Sequence, residues 1–147
     1  MENRTYRYFK DKPLFGFGYG LSYSTFNYHN FALPSNFKSG RGTSLSVRIT
    51  NTGKMQSDEV AQLYVMHHNL KIKSAKKALK GYQRVSLAPG ESKLVYFKLS
   101  PDELTYIDDK GTKRSLKGEI TLSIGGSQPD EKLKTKGNII TKKLIIN

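Results

Sequence analysis

Leu45-Ser46-Val47-Arg48-Ile49-Thr50, closed by Asn51-Thr52-Gly53, is the stretch that decides the fold. Leu45, Val47 and Ile49 share one parity, and Ser46, Arg48 and Thr50 share the other. A period of two turns alternate side chains to opposite faces of a strand, so this segment predicts a half-buried strand rather than a helix. The pattern recurs on both sides. Ala61, Leu63 and Val65 alternate with Gln62, Tyr64 and Met66; Val95, Phe97 and Leu99 mark another strand; Ile120, Leu122 and Ile124 alternate up to Gly125-Gly126. Pro89-Gly90 carries type II turn chemistry between a strand ending near Leu87 and the strand of Val95. Proline presets φ at the second turn position, and glycine accepts a positive φ at the third.

The first strand changes phase. Phe26 and Tyr28 share a face, whereas Phe31 and Leu33 have the opposite parity. One extra residue near His29-Asn30, a bulge, would bring both pairs to the same side. Ser100-Pro101-Asp102-Glu103 combines an N-cap serine, a proline at the first helical position and an acid at the third, and predicts a single helical turn. Residues 127–138 are expected to form a polar loop, and Leu144-Ile145-Ile146 an added edge strand. Short strands at this spacing with almost no helix define an all-β chain, an antiparallel β-sandwich of about seven strands. Each sheet is expected to turn its apolar parity inward and its Ser, Thr, Lys and Gln parity into water.

The 147 residues suit one domain, and cysteine is absent, which excludes disulfides and thiolate metal sites. No run of about 18 apolar residues is present to span a membrane, and Met1–Phe9 has no apolar core of a signal peptide. The 25 Lys and Arg against 12 Asp and Glu give a net charge of +13, which attracts polyanions. From Lys71 to Arg84 there are six basic residues and no acid; Lys71, Lys73, Lys76, Lys77 and Lys80 form the candidate basic patch. Lys132, Lys134, Lys136, Lys142 and Lys143 form a second cluster.

No catalytic constellation emerges. Gly16, Gly18 and Gly20 lack the strand before and the helix after that a phosphate loop needs. Adjacent His67 and His68 point to opposite faces of a strand and cannot share a metal without a bend. Asp108 and Asp109 precede Lys110-Gly111 and are expected to form a turn by bonding the amides that follow. Asp58 and Glu59 are expected as loop and edge residues. No serine sits in a Gly-x-Ser-x-Gly elbow, and the basic stretch holds only Tyr82 for stacking, which argues against specific nucleic-acid binding. The expectation is therefore no catalytic residue, no cofactor and no metal.

Arg4-Thr5-Tyr6-Arg7-Tyr8-Phe9 and Pro13-Leu14-Phe15-Gly16-Phe17-Gly18-Tyr19-Gly20-Leu21-Ser22-Tyr23-Ser24-Thr25-Phe26 resemble a segment of family 3 glycoside hydrolases. The resemblance runs on through Asn51-Thr52-Gly53, Glu59–Val65, Leu79–Glu91 and Gly125-Gly126-Ser127-Gln128-Pro129. In that family the first segment links an α/β-sandwich domain to a C-terminal fibronectin type III-like, immunoglobulin-like sandwich. The opening and the Gly-Gly-Ser-Gln-Pro stretch look more like the β-xylosidase than the β-glucosidase branch. One departure is Lys73-Ser74-Ala75-Lys76-Lys77-Ala78, where many members carry an Arg-Pro segment; its loss predicts a looser loop from Asn69 to Ala78.

The resemblance implies a division at residue 24: an aromatic, glycine-rich interdomain linker over 1–24, and the sandwich over 25–147. It implies a fragment of a retaining β-glycosidase, exported to the periplasm or secreted, whose carboxylate pair stands upstream on a (β/α)8 barrel and an α/β sandwich. Those two domains are the implied partners. Phe15, Phe17, Tyr19, Leu21 and Tyr23 are the candidate interface with them, since seven short strands cannot bury so many aromatics. The alternative is a free-standing adhesion module that holds polysaccharide or another polyanion on its basic face.

Overall fold

The computed structural model describes residues 24–34, 38, 40–68, 77–127 and 138–146. The two alternations that decide the fold become β2 (Thr43–Asn51) and β3 (Ser57–His67), the central strands of two antiparallel sheets. In the three-stranded sheet β2 lies between β1 (Phe26–Ala32) and β5 (Ser92–Leu99). In the four-stranded sheet the order is β4 (Lys77–Leu87), β3, β8 (Gly118–Gly125) and β9 (Ile139–Ile146). A small hairpin of β6 (Thr105–Ile107) and β7 (Lys113–Ser115) lies outside both sheets. Seven strands therefore make the sandwich, as the alternation predicts.

The inward parities meet between the sheets. Leu45, Val47, Ile49, Val95, Phe97 and Leu99 from one sheet, and Ala61, Leu63, Val65, Ile120, Leu122 and Ile124 from the other, are all buried in one core. Burying each of the larger of these side chains contributes about 1.5–3 kcal/mol. Leu104, carried by the 3-10 turn Pro101–Leu104, seals one margin, and its carbonyl accepts Leu116 N–H at 2.8 Å. Ser100 N–H donates to Glu103 Oε2 at 2.7 Å, half of the predicted capping box.

The predicted irregularities are present. Register shifts between His29 and Ala32, and Asn30 takes φ 54°. Phe26 and Tyr28 are buried before the shift, and Phe31 and Leu33 pack against the same core after it. At Ala88–Glu91, Glu91 N–H donates to Ala88 O at 3.0 Å and Gly90 takes φ 78°. Asp108 Oδ1 accepts Lys110 N–H at 3.0 Å and Thr112 N–H at 2.8 Å, which closes the β6–β7 hairpin. Leu144-Ile145-Ile146 end an edge strand, as expected.

Three expectations are corrected. Lys77 and Ala78, expected in a loop, belong to β4, and residues 69–76 lie outside the described residues. Glu59 does not face solvent. Paired with Val85 of β4, it shares the parity of Ala61, Leu63 and Val65, and its carboxylate points toward the sandwich interior, where Tyr28 OH meets it. The outward parity of the four-stranded sheet is also not all in water. Gln62, Tyr64, Thr121 and Ser123 lie on it and are buried. Among the described residues no helix is long and apolar enough to cross a membrane.

Candidate interaction surfaces

The two seams between the sheets are polar and specific. Asn51, fully buried at the end of β2, donates through Nδ2 to Met55 O at 2.8 Å and to Leu87 O at 2.9 Å, while its Oδ1 accepts Gly53 N–H at 2.9 Å. Ser24 Oγ donates to the same Oδ1, so the start of the sandwich is tied to this turn. A Cβ at Gly53 would collide with Ser24, which explains glycine there. Asparagine is the type that suits this place, with one acceptor and two donors on a short stem.

At the second seam Tyr28 OH donates to Glu59 Oε1 at 2.9 Å, joining β1 to β3. Burial raises the Glu59 carboxyl above its ordinary 4.5, partly offset by the bond from Tyr28. Burial, then the Glu59 charge, raises the Tyr28 phenol well above 10. A Cβ on Gly126 would strike the Glu59 carboxylate, so Gly126 leaves room for it. The usual retaining glycoside hydrolysis uses two carboxyl groups about 5 Å apart, whereas this seam sets one carboxylate against one phenol. Among the described residues no group of three or more His, Asp or Glu is placed to hold a metal.

The outward faces differ. On the four-stranded sheet Tyr64 OH donates to Gln62 Oε1 at 2.8 Å, Gln62 Nε2 donates to Gly126 O at 3.1 Å, and His68 Nε2 lies 2.6 Å from Thr121 Oγ1. Beside this closed centre, Tyr82 on β4 is 69% exposed and Val60 on β3 is half-open. Arg84 grips Asp58 Oδ2 through Nε at 2.9 Å and Nη2 at 2.7 Å, an exposed pair. That bond is the leading cause holding the Asp58 carboxyl below 3.8.

On the three-stranded sheet the register builds four rows across the outward face. These are Asn27–Thr50–Ser92, His29–Arg48–Leu94, Ala32–Ser46–Tyr96 and, on two strands, Ser44–Lys98. Tyr96 is 61% exposed and Leu94 40%. The sequence reading missed this surface, although two large apolar residues on the outward parity of β5 signal it.

Of the predicted site residues, Phe15, Phe17, Tyr19, Leu21 and Tyr23 lie outside the described residues, as do Lys71, Lys73 and Lys76. Lys77 and Lys80 are half-buried in β4 and both are engaged.

With this geometry in view, the class is plain: residues 59–128 match the fibronectin type III-like domain family, and the chain is an immunoglobulin-like β-sandwich of that type. Over 131 residues it is 43% identical to a β-xylosidase of Formosa agariphila, covering 88% of this chain and 18% of that enzyme. It is 37% identical over 134 residues to thermostable β-glucosidase B of Acetivibrio thermocellus, again covering 88% of the chain and 18% of the enzyme. A crystal structure of β-glucosidase from Listeria innocua in complex with glucose superposes with a TM-score of 0.77 at 26% identity, over 92% of this chain and 18% of that one. The chain is thus a fibronectin type III-like module fitting the C-terminal domain of family 3 glycoside hydrolases of β-xylosidase and β-glucosidase type. It spans less than a fifth of the length of these relatives.

Proposed function

We propose that this chain is a non-catalytic accessory module of a retaining β-glycosidase, and that it braces the catalytic (β/α)8 and α/β-sandwich domains. The observation that carries this reading is the one-sided coverage: 88% of the chain matches 18% of an enzyme. The module recurs beside much larger machinery, and its own described carboxylates form seams, turns and surface pairs. Residues 1–24 serve as the linker, with Phe15, Phe17, Tyr19, Leu21 and Tyr23 covering the neighbouring domains. Apolar patches of that kind are costly in water and mark interfaces.

The test uses the full-length parent enzyme. Changing the positions of Phe15, Phe17, Tyr19 and Tyr23 to serine lowers its melting temperature; an unchanged value removes the bracing role. The 147-residue chain alone, incubated with a chromogenic β-xyloside, releases no chromophore, and turnover would remove the non-catalytic reading.

A further inference from the structure

We propose that the outward face of the three-stranded sheet is a binding platform for an acidic polysaccharide, one whose sugar rings carry carboxylates. The proposal does not depend on the bracing role, and takes from the glycosidase reading only its choice of glycan among polyanions. Three observations carry it.

The first is the absence of acid. β1, β2 and β5 contain no Asp or Glu, while Arg48 and Lys98 stand on the outward parity. Neither cation has a carboxylate partner among the described residues. The acids that flank β5 in sequence are already engaged. Glu91 Oε2 accepts Ala88 N–H at 3.1 Å, and its Oε1 lies 3.5 Å from Lys93 Nζ. Asp102 pairs with Lys113 at 3.0 Å, and Glu103 accepts Ser100 N–H. Among the described residues the field over the face is therefore positive and open to an external anion.

The second is an unencumbered aromatic surface. Tyr96 lies opposite Ser46, with Ala32 beyond it and Ser44 on one diagonal, so no bulky side chain stands directly across from the ring, which is exposed. Large exposed apolar side chains on a sheet are candidates for contact rather than packing. The C–H face of a pyranose ring stacks on such a ring, and Leu94 extends the apolar strip by one row.

The third is polar groups at the spacing of the sheet. Arg48 is diagonal to Tyr96, about 7–8 Å away, which places a guanidinium where a carboxylate of a stacked sugar would be gripped. Hydroxyls of Ser44, Ser46, Thr50 and Ser92 line the same rows, and Thr50 Oγ1 lies between His29 Nε2 at 2.9 Å and Ser92 Oγ at 2.6 Å. Strands three abreast hold this array without a loop to order.

The experiment is affinity electrophoresis of the whole 147-residue chain through gels containing polygalacturonate, neutral xylan, dextran sulfate or DNA. Polygalacturonate retards the chain more than the other three. Tyr96→Ala and Arg48→Ala each weaken that retardation by about tenfold, the equivalent of ~1.4 kcal/mol, while Tyr82→Ala on the opposite sheet leaves it unchanged. Both variants sit on an exposed face, and an unchanged urea midpoint verifies their fold. Absence of retardation by polygalacturonate overturns the proposal. So does retardation that survives the Tyr96→Ala, Arg48→Ala double change, which would assign binding to another basic surface. Equal retardation by dextran sulfate or DNA overturns it as well, in favour of unspecific charge attraction. None of these outcomes touches the melting test of the parent, so the two readings fail separately.

Discussion

The outward faces of the two sheets carry similar alternations and end in opposite states. On β2, Ser46, Arg48 and Thr50 remain partly open to water, and on β5 Tyr96 is exposed. On β3 and β8, Gln62, Tyr64, Thr121 and Ser123 are closed off, with Tyr64 at 0% exposure. One sheet is thus buried on one side only, and the other also at the centre of its outward face, with Tyr82 and Val60 still exposed beside it. The difference teaches that a polar outward parity states what a side chain tolerates, not where it ends up. Tyr64 and Gln62 can be buried because each answers the other's hydrogen bond, and Gln62 reaches Gly126 O besides.

The largest expected effect tests this contrast directly. Tyr64→Ala removes a fully buried ring and costs about 3–5 kcal/mol of unfolding free energy, whereas Tyr96→Ala changes it by less than ~0.5 kcal/mol. Urea unfolding of both variants reads the difference, and equal values would abolish the distinction between the faces. Next comes the seam that ties the sheets together. Asn51→Ala leaves the Leu87 and Met55 carbonyls without their donor and costs about 1–3 kcal/mol, read in the same experiment.

The second seam sharpens the comparison through pH. The folded Glu59 carboxyl holds its proton more tightly than the unfolded one, because burial raises it above 4.5. Its contribution is therefore fully present below 4.5 and is lost as pH rises through the raised value. Glu59→Gln removes this loss while its amide oxygen still accepts from Tyr28, so stability of the variant falls less than that of the parent chain on going from pH 4.5 upward. Asp58 and Asp108, held below 3.8 first by Arg84 and by Arg114 respectively, act in the opposite sense and only as pH falls below that value. Stability curves for both proteins across this range check the assignment, and parallel curves would refute it. Smallest of all is Ser123→Ala. Ser123 Oγ is buried with no hydrogen-bond partner among the described residues, so its removal is neutral or stabilising by up to ~1 kcal/mol. A loss above that, measured by thermal melting, would show a partner for the hydroxyl on the closed face.

Much of the fold was legible because its determinants are local. The change of phase between Tyr28 and Phe31 predicted the bulge that Asn30 makes, and Pro89-Gly90 and Asp108 predicted turns through their own backbone geometry. The β6–β7 hairpin was not legible beyond its turn, since strands of three residues are too short to show an alternation. The platform around Tyr96 was half legible. Tyr96 and Leu94 stand out on the wrong parity for a core, but their relation to Arg48 and Ser46 depends on how β5 registers against β2. Glu59 was misplaced because a carboxylate at a strand start reads as solvent-exposed. Nothing local announced that Tyr28, 31 residues away, would supply its donor.

By itself, then, the amino-acid sequence determined the strands, their inward parities, the bulge and the turns, since each is set by the period of apolar residues and by backbone preferences within a few positions. The tertiary structure alone decided which strands became neighbours, which outward face closed and which stayed open, and which buried polar groups found partners. Those outcomes depend on contacts between residues far apart in the chain, where the net gain of one arrangement over another is a small difference between desolvation and pairing.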